Sequence, residues 1–193
     1  METKQAITPV AESAMAGPTH DSMILRPGDI VWCSFPWDNR DTRYPRPCLV
    51  LAQVDVRDDK NRLKAIKYKM VYGTTGKTDR LYPGELLLEK SATAVFIESG
   101  LGGTTKFCFG KIVDMDYTEV NFPKSPRAGK ASGDGRPVGE TCLMGRLHES
   151  LLQPAMRALN DYTEYARKMD ARKDPSRDRA IQPSTTRSPV RPH

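Results

Sequence analysis

The segment that most constrains the fold lies at residues 26–52, where two apolar runs flank a polar loop. Residues 29–35 and 48–54 are rich in β-branched, aromatic and aliphatic side chains, which favour strands. The segment between them is rich in Asp, Asn, Arg and Pro, which favour loops. Arg46 precedes the second run, at a point where folds often present functional groups. The sequence therefore predicts two strands joined by a long loop, with Arg46 as a candidate functional residue.

Four further short runs predict strands, at residues 65–72, 85–88, 94–97 and 107–113. Short strands separated by Gly, Pro and Asp turns indicate a small barrel or sandwich. Five side chains of these runs are expected to be mostly buried because they are apolar: Ile30, Leu49, Leu51, Leu87 and Ile112.

A helix is predicted after the last strand, because apolar residues recur there at three- and four-residue spacing. Ser150 is the expected N-cap, and Pro154 would then fall in the first turn, where its missing N–H costs little. The apolar stripe comprises Leu147, Leu151, Ala155, Leu159, Tyr162 and Ala166.

Composition gives weaker guidance. The chain has 193 residues, 38% of them hydrophobic, and a net charge of +6, which favours a polyanionic partner. No apolar run is long enough to span a bilayer, and the N-terminus lacks the apolar stretch of a signal peptide. Cys33, Cys48 and Cys108 lie in apolar runs, so we expect buried thiols in a cytoplasmic protein. The four cysteines, Cys142 included, show no Cys-x-x-Cys spacing, so no metal site is expected.

The chain divides into three parts by composition. Residues 1–22 are small and polar, and residues 170–193 are basic and Pro-rich, so both are expected to be disordered. Residues 23–169 are expected to form one domain, interrupted by a basic loop insertion at residues 123–138.

Several short motifs occur in a fixed order along the domain. They are Gly28-Asp29-Ile30-Val31-Trp32, Arg46-Pro47, Tyr72-Gly73-Thr74-Thr75, Tyr82-Pro83-Gly84-Glu85-Leu86 and Met144-Gly145-Arg146-Leu147. Each is weak alone, and their order and spacing make the combination more specific. Together, over about residues 26–166, they resemble the PemK/MazF family of toxin endoribonucleases. The 107–113 run departs from the family by carrying Gly110-Lys111 where Asp-Gln is usual.

The resemblance implies an SH3-like β-barrel with a C-terminal α-helix. It implies the toxin of a type II toxin–antitoxin system, a metal-independent, sequence-preferring endoribonuclease that needs no cofactor. Its partners would be single-stranded RNA, a cognate antitoxin protein and a second copy of the chain in a homodimer.

The implied catalytic residues are Arg46 and Thr74, although Thr75 competes with Thr74 for this role. A guanidinium group can donate hydrogen bonds to two phosphate oxygens at once and can stabilise the negative charge that develops on the phosphoryl group. It is, however, a poor base. Ser34, Phe35 and Asp41 match positions that line or support the family's site.

Two further residues are substrate-binding candidates. Trp37 lies on a polar loop, where its ring suits base stacking. Lys77 follows the Thr pair and is a substrate-binding or supporting candidate. The Gly76-Lys77-Thr78 sequence does not form a phosphate-binding loop motif, because Val71 stands where the first glycine of that motif is needed.

Two alternative functions remain open at the level of sequence. One is a non-enzymatic toxin that poisons a topoisomerase, as in the related CcdB family, whose activity uses an apolar, Trp-bearing C-terminal end that this sequence lacks. The other is a catalytically degenerate barrel that binds RNA or protein.

Overall fold

The computed structural model describes residues 24–36, 44–126 and 141–173. Within these ranges the chain forms six strands and two α-helices. The elements are β1 (Asp29–Ser34), β2 (Pro45–Arg57), β3 (Leu63–Thr74), β4 (Glu85–Leu88), α1 (Thr93–Ser99), β5 (Thr105–Asp116), β6 (Leu143–Arg146) and α2 (Leu152–Lys173), with a 3₁₀ turn at Glu149–Leu151 before α2. Trp37, Asp41, residues 1–22 and most of the 123–138 and 170–193 segments lie outside the described residues.

The six strands form one antiparallel sheet in the order β4-β5-β3-β2-β1-β6. Within the described ranges, hydrogen-bonded pairing ends at β4 and β6, so the ladder does not close. The long strands β2, β3 and β5 carry register shifts, which bend and twist a sheet. The prediction of a mainly β fold with a C-terminal helix is confirmed.

Alternating side chains place one hydrophobic core on each face of the sheet. On one face, Leu49 and Val71 pack in a cluster with Ala155 and Ala158 of α2. On the other face, Cys48 and Met70 pack with side chains from the segments before β1 and after β5, which include Leu25 and Phe122. The sheet therefore has a helix-covered face and a loop-covered face.

Five of the six predicted strands are confirmed, and the sixth is wrong. Residues 94–97 lie in α1, which buries Phe96 and Ser99 and ends at Gly100 in the left-handed conformation, φ 65°. A short apolar run does not distinguish a strand from one or two turns of helix, and here the left-handed glycine ends a helix. The sequence also missed β6, which has only four residues.

Burial follows the prediction for Ile30 and Leu49, which are 0% and 1% exposed. Leu51 and Leu87 are half-buried. The expectation for Ile112 is wrong, because this side chain is 37% exposed. Since β4 pairs with β5 only from Thr105 to Cys108, Ile112 lies beyond the end of the neighbouring strand.

The C-terminal helix begins differently from the prediction. His148, not Ser150, is the capping residue of the 3₁₀ turn, and its Nδ1 accepts from the Ser150 backbone N–H (3.2 Å). Pro154 does fall in the first turn of α2. Further along α2, Tyr162 lies close to Gly84, and a Cβ added to Gly84 would be only 2.5 Å from the Tyr162 Cβ. This glycine lets α2 pack tightly on the start of β4.

The start of β1 and the end of β6 are joined by a buried carboxylate. Asp29 is 0% exposed and accepts from the Arg26 backbone N–H (2.7 Å). Its other oxygen lies 3.3 Å from Nη1 of Arg146, whose backbone pairs with Asp29 across the two strands. A buried carboxylate needs such partners, so the Gly-Asp and Gly-Arg motifs stabilise each other.

Two glycines bring the end of α1 against β6. A Cβ on Gly100 would collide with the carbonyl group of Met144, and one on Gly145 would collide with the carbonyl oxygen of Glu98. The obstructing atoms belong to the backbone, which cannot move aside as a flexible side chain would.

We therefore expect Gly145→Ala to lower the free energy of unfolding by about 2–3 kcal/mol, as overpacking does. Gly103→Ala is the matched control, because a Cβ there meets nothing within 4 Å. Urea denaturation followed by circular dichroism measures both. Equal stabilities of the two variants would contradict the close contact of α1 with β6.

Candidate functional site

The predicted catalytic residues lie in one cross-strand row of the sheet. Cys48 of β2 pairs with Tyr72 of β3, and continuing this register by two residues sets Arg46 opposite Thr74. Thr74 in turn pairs with Lys106 of β5. Residues of one row share a face, so the side chains of Arg46, Thr74 and Lys106 belong to the loop-covered face, opposite α2.

A glycine keeps these strands close together at the row. A Cβ on Gly73 would lie 3.1 Å from the Pro47 carbonyl oxygen and 3.0 Å from the Phe107 ring. Larger residues would separate β3 from both neighbours, and the row would widen. Gly73 of the Tyr-Gly-Thr-Thr motif thus has a structural role.

The two threonines have different environments. Thr74 is half-buried, and its hydroxyl oxygen accepts from the Gly76 backbone N–H (3.1 Å). This bond uses a lone pair and leaves the hydroxyl proton to be donated elsewhere. Thr75 is exposed. Lys77 is exposed as well, with a left-handed backbone, φ 53°.

Ser34 and Phe35 support the site from within. Ser34 is 7% exposed and its backbone N–H donates to the Asn121 carbonyl (2.8 Å). Phe35 is fully buried, and its ring centroid lies 5.2 Å from that of Tyr72. The Nζ of Lys111 lies 5.8 Å from the Phe35 centroid. A side chain with no exposed surface positions its neighbours instead of contacting a substrate.

A buried ion pair lies at the end of the same row. Lys106 Nζ is 2.9 Å from Glu85 Oε2, and the two side chains are 5% and 13% exposed. Lys106 also donates to the Arg80 carbonyl (3.1 Å) and lies 5.6 Å from the Tyr82 ring centroid. The Tyr82 backbone N–H donates to Glu85 Oε2 (2.9 Å). The pair thereby ties the 80–82 segment to β5.

Two buried groups lie next to this ion pair. Cys108 donates to Glu85 Oε1 (3.5 Å), and Tyr72 of the neighbouring strand interacts with Cys108. Burial raises the pKa of Tyr72 well above its ordinary value, and burial likewise raises the pKa of Cys108. Both groups therefore stay protonated at neutral pH.

Cys33 and Cys48 are buried, as the sequence predicted, and Cys142 is buried as well. Burial raises the pKa of Cys48 above 9.0, its hydrogen bond to Cys33 raises it further, and Arg46 partly opposes the shift. Burial raises the pKa of Cys142 to about 12. Cys33, Cys48 and Cys142 all belong to the hydrophobic core of the loop-covered face.

Sequence reasoning missed Lys106, Glu85, Tyr72 and Cys108 as members of the site. One signal was available, because a lysine within the Thr105-Lys106-Phe107-Cys108 run interrupts a strand that is otherwise apolar. A lysine is almost never buried unless it is paired, so it implied a carboxylate nearby. The sequence did not reveal which carboxylate.

Within residues 24–36, 44–126 and 141–173, no group of three or more His, Cys, Asp or Glu side chains could hold a metal ion. None of the helices described there is long and apolar enough to cross a membrane. A scan against models of protein families finds no match, and no curated protein matches the sequence.

Breaking the buried Glu85–Lys106 pair should destabilise the protein. We expect Lys106→Met to lower the free energy of unfolding by about 3 kcal/mol, because Glu85 would keep a charge with no cation beside it. Adding Glu85→Gln should restore part of the loss. Urea denaturation measures both variants.

Lys69→Met is the control, because Lys69 pairs with Asp114 at 2.9 Å but the side chains are 42% and 48% exposed. Its loss should stay below about 1 kcal/mol. Similar losses for Lys69→Met and Lys106→Met would show that the Glu85–Lys106 pair is not desolvated.

Proposed function

We propose that the chain is a metal-independent, sequence-preferring endoribonuclease that cleaves single-stranded RNA, the toxin of a type II toxin–antitoxin system of the PemK/MazF type. The observation that carries the proposal is the strand register, which pairs Thr74 with Lys106 and, when continued from the Cys48–Tyr72 pair, sets Arg46 opposite Thr74. A guanidinium, a hydroxyl and an ammonium group on one face suit a phosphodiester.

The chemistry uses the groups of the chain, the RNA and solvent water. The 2′-hydroxyl of a ribose loses its proton to solvent, and its oxygen attacks the adjacent phosphorus. The bond from phosphorus to the 5′-oxygen of the next nucleotide breaks, and that oxygen takes a proton from water. Arg46 binds two phosphate oxygens with its planar fork and stabilises the charge that develops on them. Thr74 donates its hydroxyl proton to a phosphoryl oxygen.

Lys106 acts at a distance in this scheme. With a side chain only 5% exposed and bound to Glu85, it holds the row in place without touching the RNA. The guanidinium of Arg46 supplies the positive potential at the proposed site. A phosphodiester carries one negative charge, so the potential favours its binding.

The finer fold that we propose is an SH3-like barrel. The long, bulged strands accord with a strongly curled sheet, since bulges increase local bend and twist. The end of α1, which follows β4 at one edge, touches β6 at the other edge through Gly100 and Gly145. The two edges are thereby brought near each other.

The partners proposed are a second copy of the chain, an antitoxin protein and RNA, all in the cytoplasm. Exposed apolar side chains border the site and supply area for a partner or for bases: Tyr44 is 61% exposed, Leu81 54% and Tyr82 58%. Tyr44 lies two residues before Arg46, and Tyr82 lies against Lys106.

The decisive experiment compares two arginines of the same strand. Purified protein is incubated with a long RNA in EDTA, and the cut ends are mapped. Arg46→Ala should reduce the cleavage rate by about 100–1,000-fold, because a charge-stabilising donor is lost. Arg46→Lys should also fail, since an ammonium group does not reproduce the two-point fork.

Arg57→Ala is the matched control, because Arg57 lies at the far end of β2 with a side chain 48% exposed. It should cleave at the wild-type rate. If Arg46→Ala also cleaves at that rate, this site is not the endoribonuclease centre. RNA binding by the wild-type protein without cleavage would instead support the degenerate binding module.

The homodimer has its own test. Analytical ultracentrifugation at micromolar concentration should give twice the chain mass of 21.6 kDa. Dimers of this kind are isologous, which means that both copies use the same surface patch to form the interface. A monomer under these conditions would rule out the dimer without affecting the cleavage assignment.

A further inference from the structure

Tyr82 presents an exposed aromatic ring beside the row that holds Thr74 and Lys106. Lys106 pairs with Thr74 across β3 and β5, and its Nζ lies over the Tyr82 ring, 5.6 Å from the centroid. Because the Lys106 side chain is only 5% exposed, that face of the ring is turned toward the protein. Tyr82 is nevertheless 58% exposed, so the opposite face of its ring is open to solvent.

The backbone of Tyr82 is fixed by a tight turn. Its carbonyl accepts from the Glu85 backbone N–H (3.1 Å), and its own N–H donates to the Glu85 carboxylate (2.9 Å). Pro83 and Gly84 occupy the two central positions, and Gly84 has the left-handed φ of 86° that a type II turn requires. A proline also restricts the residue before it to extended conformations. The backbone of Tyr82 is therefore held in one conformation before any ligand binds.

The buried ion pair anchors the segment before this turn. Lys106 Nζ donates to the Arg80 carbonyl (3.1 Å) and to Glu85 Oε2 (2.9 Å), so it is itself fixed. One buried ammonium group thus holds the 80–82 segment at both ends, by a hydrogen bond at Arg80 and by a cation–π contact at Tyr82. Binding to a ring that is already fixed costs little conformational entropy.

A fixed and exposed ring beside a phosphate site suits a nucleic-acid base. Unpaired bases of single-stranded RNA are commonly bound by stacking on aromatic side chains. Neighbouring strands are about 4.8 Å apart, so Lys106 lies one strand from Thr74, and the Tyr82 ring lies beyond Lys106. When a phosphate is bound at Arg46 and Thr74, the base of a flanking nucleotide is within reach of the ring.

We propose that Tyr82 is a stacking platform for an unpaired RNA base that flanks the scissile phosphate. This inference rests on the proposed function and adds a substrate-binding residue to the same site. The base lies on the outer face of the ring, opposite Lys106. Stacking of this kind tolerates every base, because each has a π-face. The platform therefore raises the affinity for single-stranded RNA and does not select the cleavage motif.

The first test compares three variants of Tyr82. The probe is an RNA oligonucleotide that spans one mapped cut and carries 2′-deoxyribose there, so that it is not cleaved. Tyr82→Ala should weaken its binding by about 5- to 150-fold, the loss of stacking on one base. Tyr82→Phe keeps the ring and should bind within about twofold of wild type. Tyr82→Leu supplies apolar area without a ring and should resemble Tyr82→Ala.

Leu63→Ala is the matched control for the loss of exposed apolar surface. Leu63 is 53% exposed and begins β3, at the end of that strand far from Thr74. This variant should bind the same RNA with wild-type affinity. If Tyr82→Leu also binds like wild type while Tyr82→Ala does not, the contact is a general apolar one and the stacking platform is wrong.

Cleavage kinetics distinguish a platform from a catalytic group. Stacking binds the ground state and the transition state alike, so Tyr82→Ala should raise KM and leave kcat nearly unchanged. Arg46→Ala should instead lower kcat, because it removes a group that stabilises the developing charge. The mapped cut positions should be the same in Tyr82→Ala and in wild type. A fall in kcat with unchanged KM would contradict the platform.

The second test locates the stacked base. Each base of the same RNA is replaced in turn by an abasic nucleotide, and the affinity is measured for wild type and for Tyr82→Ala. Wild type should lose affinity at one position at a fixed distance from the cut, and Tyr82→Ala should lose nothing further there. This double-mutant cycle isolates the contact between ring and base. Equal losses in both proteins at every position would overturn the proposal.

The outcomes separate this inference from the function on which it rests. If Arg46→Ala is inactive while Tyr82→Ala binds and cleaves like wild type, the platform is wrong and the endoribonuclease assignment stands. Lower stability of Tyr82→Ala in urea with unchanged RNA affinity would show that the ring only covers the ion pair. A wild-type protein that cleaves no RNA overturns the assignment, and the platform with it. Should Tyr82→Ala fail to fold by circular dichroism, Tyr82→Leu takes its place in both tests.

Discussion

The register of β3 with its two neighbours is the constraint on which the site depends. This strand pairs with β2 on one side and with β5 on the other, and Arg46, Thr74 and Lys106 become neighbours only in that register. Because successive side chains point to opposite faces, a slip of one residue would turn Thr74 toward the helix-covered face. The buried side chains of Met70 and Val71, one in each core, oppose such a slip. The packing of Met70 and Val71 in the middle of β3 therefore fixes the face on which Thr74 lies at its end.

The Glu85–Lys106 pair adds a second constraint of a different kind. Charges taken out of water cost free energy, and such a pair contributes to stability only when its geometry is good and its remaining atoms are bonded. Here the carboxylate also accepts from the Tyr82 backbone N–H and the Cys108 thiol, and the ammonium group donates to the Arg80 carbonyl. The pair joins β4, β5 and the segment before β4 into one unit. A buried pair of this kind sets geometry more than it raises stability.

The sequence predicted the elements whose pattern is local and missed what depends on distant partners. Strands with several β-branched or aromatic residues, such as β1 and β2, were found, whereas residues 94–97 became helical because packing and a left-handed glycine override a weak preference. Strand β6 was missed because its four residues become a strand only by pairing with β1. Arg46 and Thr74 were found through motifs. Lys106, Tyr72 and Cys108 were not, since only the register brings them together.

The pairing of β1 with β6 has a consequence for synthesis on the ribosome. The two strands are separated by more than 100 positions along the chain, and Asp29 pairs with Arg146. As the chain emerges from its N-terminus, β1 can pair with β2 early, but its other edge waits until residue 146 has appeared. During that interval the carboxylate of Asp29 has no guanidinium beside it, and an apolar strand edge is open to other chains. The nascent protein is therefore most in need of protection from aggregation just before its C-terminal helix is made.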